Sequence, residues 1–144
     1  MTIREATIAD AFRLSELMGE LGYPTKVDQM RKRLESILDD WPYRTLIAET
    51  NGQITGMVGV RVDHGYEYDG LQGRILALVV EARLRGQGVG RSLVAAAEQW
   101  ALERGATKIM VNTANHRAGT HEFYRSLGYD ANGLRFVKRL GSTR

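Results

Sequence analysis

The stretch Ile75 to Leu93 reads Ile-Leu-Ala-Leu-Val-Val-Glu-Ala-Arg-Leu-Arg-Gly-Gln-Gly-Val-Gly-Arg-Ser-Leu, and the reading of the whole chain turns on it. Ile75 to Val80 is a continuous apolar run of strand length, which suits a strand buried on both faces at the centre of a sheet. Downstream, Val89, Leu93, Ala96, Ala97, Trp100 and Ala101 recur on one helical stripe, and Gly105 stands where a helix commonly ends. Between strand and helix lies Arg85-Gly86-Gln87-Gly88-Val89-Gly90, followed by Arg91 and Ser92. Three glycines in five residues let backbone amides approach a ligand with no side chain in the way. The helix that follows points its unpaired N–H groups and positive dipole end at the same spot, which makes a seat for a pyrophosphate. Arg85 and Arg91 add positive charge suited to phosphate oxygens. Glycine spacing alone fits an empty structural turn about as well, so the surrounding pattern has to decide.

Two familiar glycine motifs fail here. A Walker loop ends in Gly-Lys-Ser/Thr, whereas Gly90 is followed by Arg91 and Ser92. The dinucleotide fingerprint GxGxxG fails because Gly86-Gln87-Gly88 meets its next glycine one residue early, with Arg91 at the required position.

Working outward, Lys108 to Thr113 reads as a second strand, so that strand, long helix and strand form a crossover with its strands parallel in one sheet. Upstream, Thr45 to Glu49 and Ile54 to Val62 are β-rich and joined by Asn51-Gly52, a strong hairpin signal. Asp63 to Gly73 reads as the loop that opens into the central strand. Thr2 to Glu5 is a short strand, after which Thr7, with Asp10 three residues on, caps a helix marked by Leu14, Leu17, Met18 and Leu21. Gly22-Tyr23-Pro24 breaks it. Thr25 is placed to cap a second helix with Val27, Met30, Leu34, Ile37 and Leu38 on one face, ending before Trp41 and Pro42. A last helix, Thr120 to Leu127, stops at Gly128, and Leu134 to Leu140 reads as a closing strand. The expected fold is α/β (α+β), a mixed central sheet flanked by about four helices.

The 144 residues are expected to form a single domain, residues 1-144, with 43% hydrophobic and 26% charged residues and no low-complexity stretch. No cysteine is present, which removes disulfides, thiolate metal sites and a thiol nucleophile together. His64, His116 and His121 include no pair at short metal-ligand spacing, so no metal is expected. No apolar run approaches the ~18 residues a membrane helix needs, and a cytoplasmic location with no membrane partner is the expectation. The net charge of +3 comes from basic residues scattered along the chain, without interleaved aromatics, which favours a small anion over nucleic acid.

With these elements in order, the chain resembles the GNAT (GCN5-related N-acetyltransferase) superfamily. The family's Arg/Gln-x-x-Gly-x-Gly/Ala motif is matched by Arg85, Gly88 and Gly90 in its setting of strand, glycine turn and long helix. The preceding Leu78 to Gly86 is similar to the family's common Leu-x-Val-x-Pro-x-x-Arg-Gly, with Ala82 in place of proline. His121 to Tyr129 resembles its Phe-Tyr-x-x-x-Gly-Phe ending, and the element order extends the likeness over nearly the whole chain.

The resemblance implies an acetyl-CoA-dependent N-acetyltransferase acting on a small amine or peptide acceptor, by direct attack on the thioester. In such a protein the backbone of Leu78, Val79 and Val80 pairs with the pantetheine arm, which inserts like a missing strand. Arg85, Gly86, Gln87, Gly88, Val89, Gly90, Arg91 and Ser92 surround the pyrophosphate, and Tyr124 stands near the sulfur. Small members often dimerise, so the resemblance allows a homodimer. Two positions depart from the pattern. Arg117 stands where many members carry asparagine, with Asn115 two residues earlier, and Gln72 stands where histone-type members carry a glutamate base.

Transfer from a thioester to an amine needs a neutral nucleophile, a held oxyanion and a proton for the departing thiolate. Tyr124, neutral at pH 7 with an ordinary pKa of about 10, suits the last of these; outside its motif it would read as a half-buried aromatic. His121, one helical turn earlier, is a candidate for the same cleft and reads more readily as an ordinary helix-surface histidine. His64, Glu67 and Asp69 in the loop before the central strand are ordinary surface residues as readily as proton relays. Glu81 suits solvation of the turn, and Tyr23 suits an acceptor pocket or a hydrophobic plug equally. The alternative to an enzyme is a non-catalytic acyl-CoA-binding module, against which Tyr124 argues.

Overall fold

The computed structural model describes residues 1–112, 118–133 and 135–141, so Thr113, Asn115, His116, Arg117 and Leu134 lie outside the described residues. Two compact units are present, Met1–Val111 and Asn112–Arg144.

The first unit holds five strands, β1 (Thr2–Glu5), β2 (Tyr43–Thr50), β3 (Gln53–His64), β4 (Leu71–Val80) and β5 (Ala106–Val111), and three helices, α1 (Ala11–Leu21), α2 (Val27–Ile37) and α3 (Val89–Glu103). The strands lie in the order β1-β2-β3-β4-β5, antiparallel except for the parallel β4–β5 pair that α3 connects. Asn51 and Gly52, at φ 52° and 77°, make the tight turn between β2 and β3 in which both central residues need positive φ. The loop before the central strand is shorter than the sequence suggests, because pairing of His64 with Leu71 extends both strands into it.

Two layers of helix cover the sheet. Leu14 and Leu17 of α1 and Met30 and Leu34 of α2 pack with Ile47, Met57 and Val79 in one buried cluster. Burial of one such leucine contributes about 1.5–3 kcal/mol. On the opposite face, a Cβ added to Gly56 would lie 3.0 Å from Leu93 Cδ1, so α3 rests directly on the glycine backbone. The buried stripe of α3 is Val89, Leu93, Val94, Ala97, Trp100 and Ala101; Val94 joins it in place of the half-buried Ala96.

Some expectations are corrected. Thr25 does not cap α2. Its hydroxyl donates to the Tyr23 carbonyl at 2.6 Å, and Lys26 is the N-cap, its N–H donating to Gln29 Oε1 at 2.9 Å. At α1 the Asp10 carboxylate accepts from the Thr7 N–H at 2.8 Å and from two Arg4 nitrogens at 3.0 Å. Burial alone would raise the Asp10 pKa, but these hydrogen bonds outweigh it and hold the carboxyl below its ordinary range. Ile75 to Val80 is not buried on both faces. Ile75 and Val79 are buried, Leu76 is 50% exposed, and Ala77, Leu78 and Val80 are half-buried.

The second unit contains α4 (Ala118–Ser126), which closes through Leu127 and Gly128 N–H bonds to the Tyr124 and Arg125 carbonyls, Gly128 standing at φ 93°. Arg135 to Leu140 is no strand, contrary to the closing strand expected over Leu134 to Leu140. A strand exists only with a neighbour to complete its ladder, and residues 118–133 supply a helix and turn but no strand.

Candidate active site

The site is built where β4 ends and α3 begins. Pairing of β4 with β5 runs from Leu71↔Ala106 to Ile75↔Val111 and stops, whereas pairing with β3 continues to Gly56↔Val80. Residues 76 to 80 therefore have a ladder neighbour on one edge only, among the described residues. The Glu81 N–H donates to the Thr55 carbonyl at 2.8 Å, which fixes the phase of the ladder. Main-chain groups alternate edge by edge along a strand, so those of Ala77 and Val79 turn to β3 and those of Leu78 and Val80 turn to the open edge. Of the three residues expected to pair with an extended ligand, Leu78 offers both main-chain groups, Val80 offers its N–H while its carbonyl accepts from Arg85 Nε, and Val79 offers neither.

A bulge accompanies the change. The register shifts between Gly59 and Val60, leaving Leu76 as an extra residue between Ile75↔Val60 and Ala77↔Gly59. The alternation of faces is thereby reset, and the open edge begins where the bulge lies.

From Val80 the chain is tied down closely. Leu84 and Arg85 N–H groups close a single 3-10 turn, Ala82–Leu84, and the Ala82 N–H donates to Glu20 Oε1 of α1 at 2.9 Å. Arg13 of α1 donates to the Ile54 carbonyl at 2.9 Å and lies 3.4 Å from the Glu81 carboxylate, which also accepts from Arg83 at 3.0 Å. Glu81 is thus an anchor for the turn. Glu20 and Arg13 were invisible to sequence reasoning, since their partners lie far away along the chain and no local motif marks them.

Gly86 and Gly88 stand at φ 83° and 88°, the left-handed region that only glycine enters freely. Gly90 does not share this conformation. It is the second residue of α3, so its place in the motif is not a matter of backbone angle. Gly88 is the N-cap, and the first helical bond is from the Ser92 N–H to the Gly88 carbonyl at 3.0 Å. The N–H groups from Gly86 to Arg91 have no hydrogen-bond partner among the described residues, and all these residues but Val89 and Gly90 are exposed. Such a row of donors at a helix start suits a phosphate chain. Arg85 and Arg91 are exposed beside it, with Arg85 Nε donating to the Val80 carbonyl at 3.1 Å along the open edge. Edge, glycine turn and arginines thus fit the pantetheine and pyrophosphate of a coenzyme A.

Tyr124 lies on α4 and is only 9% exposed, flanked edge-to-face by Phe123 at 5.1 Å and Tyr129 at 5.5 Å. Burial pushes its pKa up to about 12, because the phenolate would be poorly solvated. His121 is exposed on the same helix, and Tyr23 is 54% exposed after α1. His64, Glu67 and Asp69 are exposed at the opposite end of β4 from the glycine turn, while Gln72 keeps a buried Oε1 without a partner. Among the described residues no group of three or more His, Cys, Asp or Glu is placed to hold a metal, and no helix is long and apolar enough to cross a membrane.

Comparison with known proteins bears on the same segment. The model of the acetyltransferase (GNAT) family matches residues 10–129. An aminoalkylphosphonate N-acetyltransferase of Salmonella typhimurium is 34% identical over 94 residues, 65% of this chain and 61% of that protein. An aminoglycoside N(6')-acetyltransferase type 1 of Stenotrophomonas maltophilia is 28% identical over 133 residues, 90% of this chain and 86% of that protein. Among solved structures, one described as a transcriptional regulator from Bacillus halodurans superposes with a TM-score of 0.87 at 26% identity, covering 96% of this chain and 99% of that one.

Proposed function

Because the chain belongs to the acetyltransferase (GNAT) family, we propose that it transfers an acetyl group from acetyl-CoA to a primary amine. The observation that carries this reading is the junction of the open β4 edge with the glycine turn that starts α3, inside the residues the family model matches. That match runs through the boundary between the two compact units, which supports taking residues 1–144 as one acetyltransferase domain. A cytoplasmic site of action belongs to the same reading.

Acetyl-CoA supplies an acyl group already activated as a thioester. The main-chain groups of Leu78 and Val80 align it as an added strand would, and an N–H of that edge donates to the carbonyl oxygen where negative charge develops. The N–H groups from Gly86 to Arg91, with Arg85, Arg91 and Ser92, hold the pyrophosphate. Tyr124 is assigned the proton for the departing thiolate on the strength of the motif Phe123-Tyr124-Arg125-Ser126-Leu127-Gly128-Tyr129. No side chain is assigned as general base.

The test is a screen for free CoA release from acetyl-CoA with aminoalkylphosphonates, aminoglycosides, polyamines, amino acids and peptides as acceptors. Turnover with at least one amine is expected. CoA binding with no turnover across all of them would leave a non-catalytic binding module instead. For the acceptor found, kcat/KM should rise with pH as the amine, near pKa 10.4 for a lysine-like group, loses its proton. Tyr124, with its pKa pushed up to about 12, keeps its own proton over that range. A falling limb centred below pH 9 would therefore point to a different acid.

A further inference from the structure

The helices α1 and α2 cover only part of their face of the sheet. Side chains on that face fall into rows across the strands, fixed by the register. The row Ile47, Met57 and Val79 lies in the buried cluster under the helices. The next row is Thr45, Gly59 and Ala77, of which Thr45 is buried and Ala77 half-buried against the core, while a Cβ added to Gly59 would meet nothing within 4 Å, so the row is open at Gly59. The reset of alternation at Leu76 then places Tyr43, Arg61, Arg74 and Met110 in the following row, and Asp63, Gln72 and Lys108 beyond it.

Arg61 and Arg74 stand directly opposite each other on neighbouring antiparallel strands, an arrangement that like charges make unfavourable. Their present partners do not account for both. Arg61 donates to Tyr43 Oη at 2.9 Å and lies 3.0 Å from an Asp63 oxygen, yet its buried Nε has no aligned acceptor. Arg74 is exposed and has no hydrogen-bond or ion-pair partner among the described residues. Lys108, the other basic group on these rows, keeps its ammonium 3.4 Å over the Tyr68 ring, and Asp63 is the one carboxylate in them. The rows therefore carry an excess of positive charge next to an uncovered hollow, and the hollow adjoins the bulge at which the open edge of β4 begins.

We propose that Arg61 and Arg74 bind an oxyanion, a carboxylate or phosphate group, carried by the amine acceptor, whose amine occupies the hollow at Gly59. One row is about 7 Å from the next along a strand, so the anion and the amine belong to one small molecule. A planar guanidinium presents paired donors to either kind of oxyanion, and the two arginines together suit a group with two or more oxygens. The proposal rests on the acetyl-transfer reading for the identity of its ligand as acceptor.

The experiment is titration calorimetry of the full chain in the presence of CoA, comparing O-phosphoethanolamine with ethanolamine and β-alanine with propylamine. Each anionic amine should bind at least about tenfold more tightly than its neutral match, and Arg74→Gln, at an exposed side chain with no hydrogen-bond or ion-pair partner among the described residues, should abolish the preference. Arg74→Lys should restore part of it. Equal binding within each pair, or a preference that survives both Arg74→Gln and Arg61→Gln, would overturn the proposal even if the protein acetylates amines. An intact preference in a protein that transfers no acetyl group to any of the four would support the anion site and leave the enzymatic reading to the wider acceptor screen.

Discussion

Tyr124→Phe is expected to lower kcat by about 10²- to 10⁴-fold, the usual contribution of a positioned general acid. The substitution keeps the ring and its edge-to-face contacts with Phe123 and Tyr129, so the melting temperature and acetyl-CoA affinity should hold. Burial pushes the phenol pKa up to about 12, which makes it a weaker acid but keeps Tyr124 neutral with its proton in place, and its hydrogen bond to sulfur strengthens as charge develops there. The loss should for that reason appear in kcat and kcat/KM together, as for an interaction made mainly in the transition state. Stopped-flow detection of CoA under single-turnover conditions isolates the chemical step. A parental single-turnover rate would make Tyr124 a packing residue and remove the acid assigned here.

The second large effect is expected at Gly88. At φ 88° it holds a conformation that a β-branched residue resists, and it caps α3 at the head of the free N–H row. Gly88→Val should weaken CoA binding by roughly 10²-fold or more while costing the fold only about 1–3 kcal/mol of backbone strain. Gly70→Val is the control, since Gly70 stands at φ 78° with nothing within 4 Å of an added Cβ, at the far end of β4. If the two variants lose stability alike and neither loses CoA affinity in calorimetry, the glycine turn is structural. A loss of affinity at Gly88 alone supports the pyrophosphate seat.

The parts of this account that sequence reveals are those governed by local chemistry. Asn51-Gly52 can hardly be anything but a tight hairpin turn, and Gly86-Gln87-Gly88 ahead of a helical stripe carries its own reason for an anion seat. Long-range pairing is different. Nothing around Leu76 announces a bulge, because the extra residue is defined by the partner strand, and the exposure of an apolar run follows from where β5 stops pairing. The same applies to Lys26, which caps α2 through its backbone N–H and the Gln29 side chain, so its own side chain gives no sign. Arg61 and Arg74 are many residues apart and become neighbours only through the register. Arg135 to Leu140 errs in the other direction, a stretch that sequence reads as a strand without knowing whether a neighbour exists to pair with it.

The central claim is that this fold binds acetyl-CoA, and thermal melting of the full chain with and without saturating acetyl-CoA tests it most directly. A ligand that binds only the native state adds about 2.7 kcal/mol at 100 times its Kd, which for a domain of this size is a rise of roughly 5–15 °C. ATP and NAD at equal concentration should shift it far less, because neither offers a pantetheine arm for Leu78 and Val80 to pair with. An unchanged melting temperature at saturating acetyl-CoA, in protein whose circular dichroism shows it folded, would contradict the account.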